Sequence, residues 1–163
     1  LLFLLNAFKL RSSPDEHLII LGDGPLRRVY QDYAKNLQNI SFFGNKQNVW
    51  DYLQIADYFV SPSKAEGMPN AVLEALASGL PVLLSDIPSH QEIVSHSPNA
   101  GKLFGINDPT SFNRAIDDLE KTPELETNAR TLVEKYFSAD IMSANYQRLY
   151  RRLTCKPSEE RPA

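Results

Sequence analysis

The stretch Ser61-Pro62-Ser63-Lys64-Ala65-Glu66-Gly67-Met68-Pro69-Asn70-Ala71-Val72-Leu73-Glu74-Ala75-Leu76-Ala77-Ser78-Gly79-Leu80-Pro81 decides how this chain folds. It leaves a short apolar run, Tyr58 to Ser61, crosses a polar loop, and enters a helix near Asn70 to Ser78. Gly67 lets the backbone approach a ligand closely, while Pro69 and Asn70 mark the start of the helix. A second apolar run, Pro81 to Ser85, follows at once. Strand, loop, helix and strand in so few residues form one βαβ unit.

The same alternation extends to both sides. Upstream, His17 to Leu21 reads as a buried strand, entered from Ser12-Ser13-Pro14-Asp15 and closed by Gly22-Asp23-Gly24-Pro25. A helix from about Pro25 to Asn36, a strand Ile40 to Phe43 and a helix near Val49 to Ala56 come next. Downstream, a short helix Gln91 to Ser95 leads to a weak strand, Lys102 to Phe104. The chain then turns helical: Thr110-Ser111 are expected to cap Phe112 to Glu120, Pro123 to open a helix reaching Phe137, and Ser138 to cap a helix ending near Leu153. Ile141, Tyr146, Leu149, Tyr150 and Leu153 give that last helix an apolar face. The fold class is therefore α/β, a Rossmann-like, mostly parallel sheet with helices on both faces and C-terminal helices beyond it. One domain is expected over residues 1–153, with a polar, disordered tail over 154–163.

Bulk properties narrow the function. With 163 residues, 42% hydrophobic and 23% charged, the composition is that of a globular domain. A net charge of -3 speaks against nucleic acid as a partner. The single cysteine, Cys155, allows no disulfide and no cysteine-based zinc site, which fits the cytoplasm. The apolar opening Leu1-Leu2-Phe3-Leu4-Leu5 continues through Ala7, Phe8 and Leu10 at helical spacing, so it reads as a helix face rather than a leader. No initiator Met precedes it, and the chain is expected to begin inside a larger protein.

Ligands of open α/β sheets bind beyond the carboxyl ends of the strands. Gly22-Asp23-Gly24-Pro25 invites comparison with a dinucleotide fingerprint, but position 27 is Arg27 where a third glycine belongs, so a dehydrogenase is disfavoured. The loop Glu66 to Asn70 is more informative. Amides at the helix start and the positive end of its dipole suit a phosphate, with Glu74 about one turn into the helix and Glu66 before it. Two such carboxylates can accept hydrogen bonds from sugar hydroxyls at either end of a phosphate-linked ligand. His17, His90 and His96 lack metal-ligand spacing and read as surface or loop residues. Trp50, Tyr52 and Leu53 read as helix and core contacts.

Glu66, Gly67, Pro69, Glu74, Ala75, Ala77, Gly79, Pro81 and Val82, with Met68 in place of the usual aromatic, resemble the E-x7-E region of retaining GT-B glycosyltransferases, most closely the glycosyltransferase 4 family. The resemblance continues through Leu18 to Leu26, Val49, Leu53, Ala56-Asp57, Ser61-Pro62-Ser63, Ser85-Asp86 and Gly101 to Phe104, and covers roughly Leu4 to Leu153. It implies that the chain is the C-terminal, donor-binding half of a two-domain enzyme that needs an N-terminal GT-B domain as its partner. By the resemblance Glu66 meets the donor sugar and is the catalytic candidate. Gly67, Met68, Pro69 and Asn70 meet sugar and diphosphate, and Glu74 holds the ribose. The strand-end glycines Gly22 and Gly44, together with Asn45, line the nucleotide side. The implied donor is a nucleoside-diphosphate sugar, with a glycan, lipid-linked or small-molecule acceptor, no cofactor and no metal. Cytoplasmic placement is expected, with peripheral association at the inner membrane face left open. The family's diphosphate-binding Arg and Lys have no counterparts here, since Lys9 and Arg11 lie too far along their helix. A noncatalytic nucleotide-binding fragment and a GT-B-fold epimerase are the alternative readings.

Overall fold

A computed structural model describes residues 1–11, 13, 15–119 and 122–154. Along the chain run α1 (Leu2–Arg11), β1 (Leu18–Leu21), α2 (Arg27–Ala34), β2 (Ile40–Gly44), α3 (Val49–Ile55), β3 (Phe59–Ser61) and α4 (Asn70–Ala77). They are followed by β4 (Val82–Ser85), α5 (Pro88–His96), β5 (Gly101–Phe104), α6 (Pro109–Asp117), α7 (Pro123–Leu132), a π-helical turn (Val133–Phe137) and α8 (Ala139–Thr154). Every paired strand is parallel, as the βαβ alternation predicts. The expected single sheet is resolved, however, into a pair β1-β2 and a trio β3-β4-β5. Among the described residues β1 pairs only with β2, and β3 only with β4.

Helices cover both faces. Leu4, Leu5, Ala7 and Phe8 of α1, Ala34 of α2 and Phe112 and Ala115 of α6 form one core with Leu18, Leu83 and Phe104. Leu53 of α3, Val72, Ala75 and Leu76 of α4, Ile93 of α5 and Ala129 and Leu132 of α7 form the other with Val82 and Leu84. Alternation along β4 sends Leu83 to the first core and Val82 and Leu84 to the second, and all four residues of this strand are buried. Phe3, Phe104 and Phe112 close the first core as an aromatic cluster, with Phe3 stacked on Phe104 at 5.5 Å and Phe112 edge-on to Phe104 at 5.2 Å.

Several local expectations change. Pro25 does not open α2. The Arg27 amide donates to the Gly24 carbonyl at 3.1 Å, so Pro25 sits second in a tight turn, where its fixed φ is favoured, and the helix starts at Arg27. The cap of α6 is Asp108, whose carboxylate accepts from the Thr110 amide, with Pro109 as the first helical residue. The helix opened by Pro123 is capped by Thr122 and gives way to the π-helical turn before Phe137. Trp50 is 49% exposed rather than a core contact, although its neighbour Leu53 is buried. The predicted apolar face of α8 packs on little of this chain, since no residue of that helix is buried. Glu120, the expected end of α6, and Cys155 with the tail residues 155–163 lie outside the described residues.

Candidate functional site

Because the strands of each sheet are parallel, their carboxyl ends collect on one side. In the first sheet this brings together Gly22, which closes β1 at φ 107°, and Gly44 and Asn45 at the end of β2. The Gly22 amide donates to the Gly44 carbonyl at 2.8 Å, so these two predicted site residues are bonded directly. In the second sheet β3 ends at Ser61 and feeds the loop to α4, while β4 ends at Ser85 beside it.

Within the loop, Glu66, Gly67 and Met68 are exposed and Pro69 is buried, which pins the loop's far end to the protein. A Cβ on Gly67 would meet nothing within 4 Å, so the backbone there is open. Asn70 is the first residue of α4, and no side chain caps that helix. The Val72 and Leu73 amides turn back to the Pro69 carbonyl at 2.9 and 3.2 Å. This contrasts with α6 and α7, whose first turns are closed by Asp108 and Thr122. An uncapped helix start carries partial positive charge and is suited to an anion. Glu74 is exposed on the same helix, whose opposite face is anchored by Val72, Ala75 and Leu76. The helix ends in a Schellman closure: the Gly79 amide donates to Leu76 and the Leu80 amide to Ala75, at 2.9 and 3.0 Å, with Gly79 at φ 89°.

The Glu66 carboxylate is held from behind. The Ser63 hydroxyl donates to Glu66 Oε1 at 2.7 Å, and the Ser61 hydroxyl to Ser63 Oγ at 3.3 Å. Ser85, fully buried, donates its hydroxyl to the Ser63 carbonyl at 2.5 Å. The three predicted regions thus divide: Glu66 to Asn70 and Glu74 share one loop and helix, while Gly22, Gly44 and Asn45 gather at the neighbouring sheet.

Two residues, Arg27 and His90, make contacts that the sequence does not show. Arg27 lays its guanidinium against Gly44, with Nη1 2.7 Å from where a Cβ would stand, and pairs with Asp23 at 3.2 Å. A left-handed glycine at the end of β2 and a basic residue after the β1 loop were the available signal. His90 is the second. Read as a surface or loop residue, it is fully buried on α5 with Ile93, because the helix turns both toward the sheet. Lys9 and Arg11 are occupied elsewhere, as their late positions on α1 suggested: Lys9 lies over the Tyr33 ring and Arg11 pairs with Glu16 and Asp117.

A parallel α/β domain with helices on both faces is similar to solved GT-B glycosyltransferase structures. Sucrose-phosphate synthase from Thermosynechococcus elongatus superimposes with a TM-score of 0.78 at 26% identity, over 93% of this chain and 41% of that one. HepE from Anabaena, solved in complex with UDP, shares the fold at a TM-score of 0.71 and 23% identity, over 93% and 44% of the two chains. Residues 1–135 match the family Glycosyl transferases group 1, and the chain belongs to that family. An Escherichia coli relative, UDP-Gal:alpha-D-GlcNAc-diphosphoundecaprenol alpha-1,3-galactosyltransferase, is 35% identical over 107 residues, 63% of this chain and 27% of its own length. The chain thus spans less than half the length of each of these proteins.

Proposed function

We propose that this chain is the donor-binding half of a retaining glycosyltransferase of the glycosyltransferase 4 family, which moves a sugar from a nucleoside diphosphate to an acceptor supplied from an N-terminal domain. The observation that carries the reading is the pairing of Glu66, held by Ser63, with Glu74 on either side of the uncapped start of α4. The diphosphate lies at the loop and helix start, where backbone amides and the helix dipole favour negative charge. Glu74 accepts hydrogen bonds from the ribose diol and Glu66 from the sugar, while Gly22, Gly44 and Asn45 border the base. The donor is a substrate, so no resident cofactor is required. The galactosyltransferase relative names a UDP sugar in its own reaction, which makes UDP sugars the first donors to try.

The test is steady-state kinetics on the full-length protein with UDP-, GDP- and ADP-sugars, products being identified by mass spectrometry. Glu66→Ala should lower kcat by roughly 10² to 10³, because a contact that strengthens at the reacting sugar appears in turnover. Glu74→Gln should leave turnover nearly intact and weaken nucleotide binding by about ten to a hundred-fold, the loss of one charge-assisted hydrogen bond. Full activity in Glu66→Ala sinks the sugar assignment. Equal losses confined to KM in both variants reduce the pair to a nucleotide clamp.

A further inference from the structure

His90 is the one fully buried ionisable side chain among the described residues named as buried, and the donor site as proposed makes no use of it. Its Nδ1 lies 2.9 Å from the Ser85 carbonyl and 3.2 Å from Ser85 Oγ. A carbonyl can only accept, so Nδ1 must carry the proton and donate. Ser85 Oγ, in turn, lies 2.5 Å from the Ser63 carbonyl, which again can only accept, so the hydroxyl proton points to Ser63. Those two carbonyls fix both protons without ambiguity. Ser85 Oγ is left with its lone pairs toward Nδ1–H, and His90 Nε2 is buried with no hydrogen-bond partner among the described residues.

The consequence is a directed chain of hydrogen bonds from the core to the surface. His90 Nδ1 holds Ser85, the Ser85 hydroxyl holds the Ser63 backbone, and the Ser63 hydroxyl holds Glu66 Oε1 at 2.7 Å. We infer that His90 is a positioning residue for Glu66, acting through Ser85 and Ser63 to hold the β3–α4 loop in one register. The inference rests on the donor-site reading for its effect on turnover, though the bonds themselves do not.

Three features favour positioning over mere filling of space. A buried imidazole with one nitrogen unpaired is a costly way to fill a hole that leucine would fill without polar atoms. The bond to Ser63 goes to backbone, so it restrains the loop rather than a single side chain. Glu66 itself is exposed, and the bond from the Ser63 hydroxyl is what restrains its carboxylate between the strand end and buried Pro69. A carboxylate that acts at a reacting sugar loses much of its effect when displaced by about 1 Å, a displacement that can cost ~10²-fold in rate.

The experiment compares His90→Leu, His90→Asn and Ser85→Ala in the full-length protein. Leucine fills the space without a donor, whereas the asparagine amide nitrogen takes the place of Nδ1. Two readouts are taken: hydrogen exchange of the loop amides between 62 and 69 without ligand, and kcat, KM and UDP affinity with a UDP sugar. His90→Leu and Ser85→Ala should raise loop exchange about tenfold and lower kcat by about ten to a hundred-fold, with UDP affinity within about threefold of wild type. His90→Asn should restore both. Should His90→Leu not fold, Ser85→Ala and His90→Asn decide the matter. Unchanged loop exchange in Ser85→Ala overturns the positioning role, as does His90→Asn damaged as badly as His90→Leu. Raised exchange in a protein whose wild type binds no sugar nucleotide upholds the restraint and overturns the donor-site reading instead.

Discussion

Gly79→Ala tests how the helix that carries Glu74 is anchored. Gly79 ends α4 at φ 89°, beyond the usual left-handed well, where a Cβ costs roughly 1 to 2 kcal/mol. A Cβ built there would also lie 2.7 Å from Arg130 Nη2 and 2.8 Å from its Cζ. That contact cannot persist, so the guanidinium must leave, and with it the bond from Nη2 to the Ser78 carbonyl at 3.1 Å. Arg130 is exposed and its guanidinium sits at the end of a long side chain that can swing aside, so the displacement should add only about 0.5 to 1 kcal/mol. The sum is about 2 kcal/mol, or a fall in Tm of about 4 to 8 °C for a domain of this size. Urea denaturation of wild type, Gly79→Ala, Arg130→Ala and the double variant separates the parts. With Arg130 already shortened, Gly79→Ala should cost only the backbone share, and the cycle should show a coupling of about 0.5 kcal/mol or more. A loss below about 0.5 kcal/mol in the single variant would refute the argument, because neither the φ strain nor the displaced guanidinium would then be real.

Two more predictions concern the scaffold. Arg11 joins the end of α1 to the chain before β1 and to α6, with Nε 2.5 Å from Glu16 and Nη1 2.8 Å from Asp117, and these carboxylates hold its guanidinium more firmly protonated, the Glu16 bond first. Glu16 is 25% exposed and Asp117 61%, so Glu16→Gln should cost ~1 kcal/mol in urea melts and Asp117→Asn much less; equal losses would show that burial does not set the strength of the pairs. The second concerns the split sheet: among the described residues β1 and β3 each pair on one side only, so the 163-residue chain alone should self-associate or unfold readily, as unpaired parallel edges do. Sedimentation at micromolar concentration checks this, and a cooperative, ordinarily stable monomer would contradict it.

Much of this protein was legible in one dimension. The order of strands and helices and their parallel pairing follow from the alternation of short apolar runs with helical spacing, since a right-handed crossover leaves little choice of topology. Glu66 and Glu74 could be singled out because one loop and one helix carry both, so their relation is local. Local chemistry also explains where elements start differently from expectation: Asp108 and Pro109 satisfy the helix-start rules better than Thr110 and Ser111, and Pro25 suits the turn before α2 better than the helix itself. Tertiary structure decided whatever depends on residues far apart in sequence. Nothing near His90 shows that it will be buried. That follows from the face α5 turns to the sheet, and its role from Ser63, which lies 22 positions before Ser85. Arg27 acquires meaning only against Gly44, and Gly79 only beneath Arg130. The amino-acid order determines which backbone conformations are cheap, and hence the elements. Packing determines which side chains lose water and meet one another, and that is where the hydrogen bonds behind Glu66 are made.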